Sequence, residues 1–183
     1  MRKIIVSNYV TLDGFFAGPN GEIDWFVWDE EMAKYSKDIL NTIDTILFGR
    51  VTYELMASYW PTATTEDPLI TDSMNSLPKI VFSKTLDKVK WNNSMLIKEN
   101  VEEEISILKK LPGKDMVIFG SGSIVSAFTR LGLIDEYRLI VNPIILGKGK
   151  PLFRDLKDKL NLKLLEAKKF RCGNVLLCYE PMK

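Results

Sequence analysis

The sequence contains no histidine and only two cysteines among its 183 residues. The absence of histidine excludes the commonest general base, the Ser-His and Cys-His nucleophile systems and most catalytic zinc sites. Cys172 and Cys178, if they share one strand, lie about 20 Å apart at ~3.3 Å per residue, which is too far for a disulfide. We therefore expect two core cysteines, no metal site, and chemistry that uses carboxylates, Lys, Tyr, Ser, Cys or a cofactor.

Long apolar runs and an excess of one charge are also missing. No stretch approaches the ~18 apolar residues of a membrane span, and the N-terminus "MRKIIVSNYV" lacks the features of a signal peptide, so a cytoplasmic location is expected. The 25 basic and 24 acidic residues leave a net charge of +1, which argues against a broad nucleic-acid platform. The length and the absence of a linker predict one domain over residues 1–183.

Apolar, β-rich runs recur along the chain, with helical patterns between them. The runs are "KIIVSNYV", "DTILFG", "KIVFS", "MVIFG", "YRLIVNPIIL" and "VLLCYE". Alternation of strand and helix as far as Gly132 is typical of a parallel sheet, whereas strands follow one another after it, with a turn at Cys172-Gly173-Asn174. The predicted fold is α/β: a three-layer mixed sheet, mostly parallel, with antiparallel C-terminal strands.

The first helical pattern, "DEEMAKYSKDILNTI", places apolar residues on one face and begins at a residue suited to cap it. Met32, Tyr35, Ile39 and Ile43 form the face, and Asp29 is the expected N-cap. The segment "TATTEDP" that comes later is the most loop-like part of the chain. "GSIVSAFTRLG" is expected to be a short helix that stops at Gly132.

A glycine-rich turn, "FGSGSIVSAF", follows the strand pattern "MVIFG". Free N–H groups at the start of the next helix would favour an anion there, and Ser121 and Ser123 add hydroxyl groups. Gly120 and Gly122 lack the third glycine of the dinucleotide fingerprint, and no Gly-Lys-Ser/Thr follows. By itself the stretch leaves two alternatives open, a phosphate cradle or a plain turn.

Two further strand ends carry polar residues. Gly49, Arg50 and Thr52 follow "TILF" at a helix start, and Ser83 and Lys84 follow "KIVF". Arg50 can bind phosphate through two hydrogen bonds, although a helix entered through glycine with a solvated arginine is the more ordinary interpretation of one such site by itself. Because ligands of open α/β sheets lie beyond the carboxyl ends of the strands, the three ends together indicate one ligand with several phosphates.

The motifs "FGRVTYELMASYW", "LPKIVFSK" and "VIFGSGSIVSAF", in this order, resemble the dihydrofolate reductase superfamily. The branch they resemble more closely contains the C-terminal reductase domain of riboflavin biosynthesis. "NYVTLDGFFAGPNGEIDW" is similar to that branch's first strand and its "LDG" loop, and "GLIDEYRLIVNPIILGKGKPLF" to its late strand. The resemblance covers nearly the whole chain.

The resemblance implies NADPH as the cofactor and a small-molecule heterocyclic substrate of pyrimidine or pterin type, as for 5-amino-6-(5-phosphoribosylamino)uracil reductase. It implies three groups of cofactor-binding residues. They are Gly49, Arg50, Thr52, Gly120, Ser121, Gly122 and Ser123 for the phosphates, Ser83 and Lys84 for the adenosine 2′-phosphate, and Val10, Phe16 and Ala17 near the nicotinamide. The branch usually has a basic residue after "LDG", but this chain has Phe15.

Hydride transfer needs no histidine, but the accepting group must still gain a proton. Asp24 stands among Ile23, Trp25, Phe26 and Trp28, where dehydration could raise its pKa and make it an acid, although an exposed loop acid is the alternative. Asp13 before Gly14 is expected mainly to shape a turn. The folate-site acid of the first helix has no unambiguous match among Asp29, Glu30 and Glu31.

Three functions therefore compete. The first is an NADPH-dependent reductase of a small heterocycle, and the second is a non-catalytic NADP-binding module that has lost its substrate site. The third is an oligomeric structural protein, against which the three polar strand ends argue. A homodimer is expected, because the antiparallel C-terminal strands leave apolar surface for a twofold partner and the resembling family commonly pairs this way.

Overall fold

The computed structural model describes residues 1–182, and its main feature is a sheet of eight strands. The ten strands within these residues are Ile4–Thr11 (β1), Phe15–Ala17 (β2), Ile43–Gly49 (β3), Lys79–Phe82 (β4), Ser94–Ile97 (β5), Asp115–Phe119 (β6), Glu136–Asn142 (β7), Lys150–Pro151 (β8), Leu162–Lys169 (β9) and Val175–Pro181 (β10). The helices are Glu30–Thr42 (α1), Arg50–Tyr59 (α2), Pro68–Ser76 (α3), Val101–Lys110 (α4) and Gly122–Arg130 (α5), with one 3-10 turn at Trp60–Thr62.

The strand order of the large sheet is β5-β4-β3-β6-β1-β7-β10-β9, and β2 pairs with β8 separately. The first six strands in this order, β5, β4, β3, β6, β1 and β7, are parallel to one another. β10 is antiparallel to β7, and β9 is antiparallel to β10. This confirms the predicted mixed sheet with antiparallel C-terminal strands. Because β4, β3 and β6 are parallel neighbours, their carboxyl ends lie at one edge of the sheet.

Two apolar layers cover the sheet, and successive strand residues alternate between them. Ile4 and Val6 of β1 pack in the layer with α4 and α5, whereas Ile5 packs in the layer with α1, α2 and α3. Near-continuous apolar strands are what a sheet covered on both faces requires. The alternation confirms the three-layer arrangement.

Helix starts and stops agree with the sequence signals. The Asp29 carboxylate accepts a hydrogen bond from the N–H of Met32 at 2.9 Å, so Asp29 is the N-cap of α1 as predicted. Gly132 follows α5 with a φ of 63°, the left-handed conformation expected of a residue that ends a helix. In the turn between β9 and β10, Gly173 has a φ of 95°, and its N–H donates to the carbonyl of Phe170.

Two local expectations are wrong, and one is confirmed except at its last residue. The strand predicted over "YRLIVNPIIL" ends at Asn142, because Pro143 has no N–H to continue the ladder. The segment "TATTEDP" is a loop as predicted until Pro68, where α3 begins with Asp67 as its cap. Cys172 lies in the turn before β10 and is half-buried, so the two free cysteines do not share a strand, and only Cys178 is fully buried.

Within residues 1–182, no helix combines the length and the apolar character that crossing a membrane requires.

Candidate active site

The ends of β3 and β6 are joined by hydrogen bonds between the two predicted phosphate turns. The N–H of Gly49 donates to the Ser121 hydroxyl oxygen at 3.0 Å, and the N–H of Ser121 donates to the Thr52 hydroxyl oxygen at 2.9 Å. The structure therefore brings together two turns that lie about seventy residues apart in the sequence. Both hydroxyl oxygens accept hydrogen bonds here, so the hydroxyl groups of Ser121 and Thr52 each still have an O–H to donate.

Asn8 of β1 fixes the glycine-rich turn from the other side. Its amide nitrogen donates to the carbonyl of Gly120 at 2.8 Å, and its amide oxygen accepts from the N–H of Gly120 at 2.6 Å. Asn8 is buried. The sequence interpretation did not include Asn8, although a polar residue inside the apolar run "KIIVSNYV" was the available signal.

Close approach explains why the turns contain glycine. A Cβ atom at Gly120 would lie 3.0 Å from the Thr52 methyl carbon, and one at Gly49 would lie 3.1 Å from the Ser123 hydroxyl oxygen. Gly120 also has a φ of 61°, which side chains rarely adopt. The two turns could not meet in this way with larger residues.

The two helices that leave these turns begin without side-chain caps. Gly49 precedes α2 and Ser121 precedes α5, and neither makes a capping hydrogen bond to its helix. The first N–H groups of each helix therefore remain free for an anion, which the helix dipole favours. Two such helix ends at one edge of the sheet suit a ligand with two linked phosphates.

Arg50 and the end of β4 lie to the side of these turns. The Arg50 guanidinium donates to Glu54 at 2.9 Å in a half-exposed pair one helical turn apart. Such surface pairs are weak, so Arg50 can exchange this partner for a phosphate. Ser83 follows Phe82, which is opposite Gly49 in the sheet. The hydroxyl of Ser83 accepts hydrogen bonds from the N–H groups of Thr85 and Leu86. The next residue, Lys84, is exposed.

A cavity of about 450 Å³ opens beside the glycine-rich turn. Eight of the twelve predicted cofactor residues line it: Phe16, Ala17, Gly49, Thr52, Gly120, Ser121, Gly122 and Ser123. Four do not line it: Val10, Arg50, Ser83 and Lys84. Val10 belongs to β1 and is buried, Arg50 is exposed at the start of α2, and Ser83 and Lys84 follow the end of β4.

The cavity extends from the turns into a second part, which we call the apolar compartment. Residues of β1, the loop before α1, and α1 to α3 with the adjoining 3-10 turn form its walls: Tyr9, Phe26, Trp28, Tyr35, Ile39, Leu40, Val51, Leu55, Met56, Trp60, Ile70 and Met74. The rings of Tyr9 and Phe26 stack with centroids 4.6 Å apart. Sequence reasoning found the aromatic loop but missed the contribution of α3, to which it assigned no structure.

Two buried asparagines hold the aromatic loop against the sheet. Asn142 accepts a hydrogen bond from the N–H of Val27 at 3.0 Å, and Asn174 donates to the carbonyl of Val27 at 2.9 Å. Both side chains are fully buried. The position of Phe26 and Trp28 is therefore set by the C-terminal strands as well as by their own loop.

Of the two alternatives for Asp24, the structure has the exposed loop acid. Asp24 is exposed and does not line the cavity, whereas the neighbouring Phe26 stacks on Tyr9 of β1. The structure thus removes the physical reason for choosing Asp24, and its role as a proton donor stays a prediction. Asp13 shapes a turn as predicted, since its carboxylate accepts hydrogen bonds from Thr11, Leu146 and Gly147. These hydrogen bonds lower the pKa of Asp13, and the bond from the Thr11 hydroxyl has the largest effect.

Two tyrosines of the compartment wall stay neutral over the physiological range. Burial raises the pKa of Tyr35 to about 12, and it also raises the pKa of Tyr9. Ser7 beside Tyr35 and Ser36 beside Tyr9 act in the opposite direction, but neither phenol makes a hydrogen bond of good geometry. The compartment therefore gains no charge from its phenols.

Comparison with known proteins agrees with this geometry. The sequence model of the RibD C-terminal domain matches residues 2–176. The uncharacterized protein YyaP of Bacillus subtilis is 43% identical over 182 residues, which is 97% of this chain and 94% of that protein.

Two solved structures share the fold. A Shewanella protein provisionally named a riboflavin biosynthesis protein has a TM-score of 0.79 at 23% identity, with 99% of each chain covered. Dihydrofolate reductase of Enterococcus faecalis, solved with NADP(H) and an inhibitor, has a TM-score of 0.67 at 16% identity, with 99% of this chain and 97% of that chain covered. This chain therefore shares the fold of dihydrofolate reductase.

Proposed function

Because this chain belongs to the family of RibD C-terminal domains, we propose that it is an NADPH-dependent reductase of a small heterocyclic compound. One observation carries the proposal. Two uncapped helix starts, α2 and α5, are joined through Gly49, Ser121 and Thr52 at the mouth of a 450 Å³ cavity. A phosphate site next to a cavity for a ring is the arrangement that a nicotinamide cofactor and its substrate require.

The residues of the turns fit the cofactor's phosphates. The free N–H groups at the start of α2 and α5 would bind the pyrophosphate, and Ser123 would donate from its hydroxyl. Close approach of the backbone is possible because Gly49, Gly120 and Gly122 carry no side chain. The related dihydrofolate reductase of Enterococcus faecalis is a protein solved with NADP(H), which supports the same assignment here.

The protein's part in the reaction is to bind, orient and exclude water. The cofactor supplies a hydride, and the reducible C=N or C=O group of the substrate must also receive a proton. Phe16 and Ala17 of β2 line the cavity beside the glycine-rich turn, so they would limit the position of the nicotinamide. The aromatic rings of the apolar compartment would hold the substrate ring against it.

The alternative is a non-catalytic NADP-binding module. Phe15 in place of the usual basic residue favours it, because a determinant of the family's phosphate-bearing substrate is missing. The built cavity behind the turns favours the reductase, since a module that binds only the cofactor needs no second compartment.

Calorimetry with NADPH, followed by a screen of pterins, flavin precursors, cyclic imines and quinones for NADPH consumption, tests the proposal. We expect saturable one-site binding of NADPH and substrate-dependent oxidation. Binding without turnover of any compound in the screen would favour the module, and absence of binding would refute both functions.

A further inference from the structure

We infer that the hydroxyl of Ser7 donates a hydrogen bond to the substrate, and that Tyr35 positions this hydroxyl. The substrate class that follows is a ring with a hydrogen-bond acceptor, either a carbonyl oxygen or an unprotonated ring nitrogen, at the group to be reduced. This inference rests on the proposed function and names a binding residue and a substrate class for the same cavity.

Ser7 lies where the large sheet opens into the cavity. In the parallel pairing of β1 with β6 it is opposite Phe119, the last residue of β6, whereas β1 continues to Thr11. The glycine-rich turn follows Phe119, so Ser7 is at the inner end of the crevice that lies beyond the carboxyl ends of the strands. Its side chain is on the same face of the sheet as that of Ile5, which packs in the layer with α1.

Three polar side chains that line the cavity are almost completely buried: Ser7 is 5% exposed, Asn8 2% and Ser121 4%. Asn8 and Ser121 hold the two glycine-containing turns in place. Within residues 1–182, the bonds that join or fix these turns do not involve Ser7. The Ser7 hydroxyl is therefore a buried polar group of the cavity that the turns leave for a ligand.

The charged side chains of the cavity lie in other places. Glu66 and Arg154 are exposed, and they belong to the loops before α3 and after β8. The Lys150 ammonium is beside Gly21, in the loop after β2. These charges border the cavity from the loops and the small sheet, whereas Ser7 belongs to the large sheet itself.

The phenol of Tyr35 reaches from α1 to Ser7. Burial raises the pKa of Tyr35 to about 12, and the hydroxyl of Ser7 and the guanidinium of Arg138 act in the opposite direction, so both groups are beside the phenol. The phenol oxygen is completely buried, yet it makes no hydrogen bond of good geometry within residues 1–182. A buried hydroxyl without a partner is costly, so completing a bond between Tyr35 and Ser7 is favourable.

Arg138 determines the direction of these bonds. It is opposite Ser7 in the pairing of β1 with β7, and its Nε donates to Glu136 at 2.6 Å, so its terminal nitrogens can face Tyr35. A guanidinium only donates, and a phenol oxygen that accepts from it has its own O–H for Ser7. Ser7 accepts that bond and then donates from its own hydroxyl towards the cavity. The inner end of the cavity thus presents a donor.

A donor at this point matches an acceptor on the ligand. The residues of α1 that line the cavity are Tyr35, Ser36, Ile39 and Leu40, so within the described residues this helix offers hydroxyl groups to a ring and no carboxylate. A carboxylate would bind a ring edge with several N–H groups, because it only accepts. The Ser7 hydroxyl instead binds a carbonyl oxygen or a ring nitrogen.

The same hydrogen bond would assist reduction of a ring C=N group. The ring carbon gains a hydride from NADPH and forms a C–H bond, and the electrons of the C=N π bond move to the nitrogen. The nitrogen takes a proton from water, so NADP⁺ and hydroxide are the other products. A hydrogen bond from Ser7 stabilises the negative charge on the nitrogen before that proton arrives.

A matched pair of rings tests the donor at Ser7. Quinoxaline is a neutral bicyclic ring with two acceptor nitrogens, and naphthalene has the same shape without them. Equilibrium dialysis measures the affinity for each ring in the presence of NADP⁺, which has no hydride to give. We expect Ser7→Ala to bind quinoxaline about two- to tenfold more weakly than the natural sequence does. The affinity for naphthalene, whether high or low, should be the same in both proteins.

Tyr35→Phe tests the positioning role, since it removes the hydroxyl and keeps the ring. We expect about a twofold loss of quinoxaline affinity in the natural sequence and no further loss when Ser7→Ala is already present. A purely structural role of the hydroxyl would give the same loss in both backgrounds. Tyr137→Phe is the control and should leave the affinity unchanged, because Tyr137 is a buried phenol that bonds to Thr129 and does not line the cavity.

An equal loss of affinity for both rings in Ser7→Ala, or no loss for quinoxaline, would overturn the inference. Failure of quinoxaline to bind the natural sequence would also overturn it. An equal effect of Tyr35→Phe in both backgrounds would refute the positioning role. Calorimetry with NADPH on the same samples separates these results from failure of the proposed function, which predicts cofactor binding whichever ring is bound.

Discussion

The ring of Phe16 lies directly over Gly122, and a Cβ atom on Gly122 would come within 2.6 Å of the Phe16 Cε1 atom. The contact joins β2 to the first residue of α5, so the loop after β1 packs on the glycine-rich turn. The contact with Phe16 therefore requires a glycine at residue 122, and the proposed approach of a phosphate gives a second reason for it. The two reasons can be separated by mutation.

Gly122→Val is expected to abolish NADPH binding while the fold survives. The new side chain would displace Phe16 and fill the space in front of the free N–H groups of α5. Calorimetry gives the affinity, and circular dichroism checks the fold.

The double variant Gly122→Val with Phe16→Ala removes the clash but keeps the valine. We expect it to remain unable to bind, and normal binding by the double variant would mean that the turn holds no phosphate.

NADPH is expected to bind ten- to hundredfold more tightly than NADH, because Lys84 can form a charge-assisted contact with the extra phosphate worth about 1.5–3 kcal/mol. Lys84 is exposed and follows β4, the strand next to the Gly49 turn. Lys84→Ala should reduce the preference, and Lys88→Ala, an exposed lysine four residues later, should not. Equal affinity of the natural sequence for both cofactors would contradict the assignment of Lys84.

The sequence predicted the central strands and the two glycine-containing turns at their ends because these depend on local signals. Apolar runs mark strands covered on both faces, and Gly49 and Gly120 mark strand ends at which the backbone must come close. It did not predict β9, since all eight residues of Leu162–Lys169 are exposed and no alternation of burial constrains their pattern. Contacts such as that of Asn8 with Gly120 join residues 112 apart, and no local pattern reports them.

The same reason applies to Asp24. Neighbouring aromatic residues suggested a dehydrated carboxylate, but the hydrogen bonds of Val27 to Asn142 and Asn174 decide which way the loop faces. Those partners are more than a hundred residues away in the sequence. Composition around Asp24 therefore indicated an aromatic loop, whereas the direction in which the carboxylate faces depends on contacts that are distant in the sequence.

Lys79→Met is expected to destabilise the protein by about 1–3 kcal/mol, since it leaves carbonyl groups without a donor. The Lys79 ammonium is buried in β4 and donates to the carbonyls of Asn75, Leu77 and Asn92 at 2.8–3.1 Å. Urea unfolding measures the difference, with the exposed Lys88→Met as the control. An unchanged free energy of unfolding would show that these hydrogen bonds make no net contribution.

Lys79 also predicts a pH dependence of stability. Burial lowers its pKa from 10.5 to about 8. The unfolded chain then binds more protons than the folded one between these two values, so this contribution to the free energy of unfolding rises with pH across that window. The three hydrogen bonds of Lys79 favour its ammonium form, so they limit this rise in the free energy of unfolding. Comparison with Lys79→Met isolates the effect from the buried tyrosines, and a difference that falls with pH would contradict it.

A homodimer through β9 is the last prediction. β9 is an edge strand of eight residues, and its Leu162, Leu164 and Leu165 are exposed. The lysines of the same strand discourage open-ended edge pairing, whereas a closed twofold contact would cover the leucines with the same surface. Light scattering should give twice the 20.9 kDa mass of the chain.

Leu164→Lys combined with Leu165→Lys should give monomers that keep NADPH binding, because β9 lies at the far edge of the sheet from the proposed cofactor turns. Leu111→Lys, at an exposed leucine after α4, should leave the dimer intact. A mass of one chain for the natural sequence across micromolar concentrations would refute the dimer and would leave the exposed leucines of β9 without an explanation.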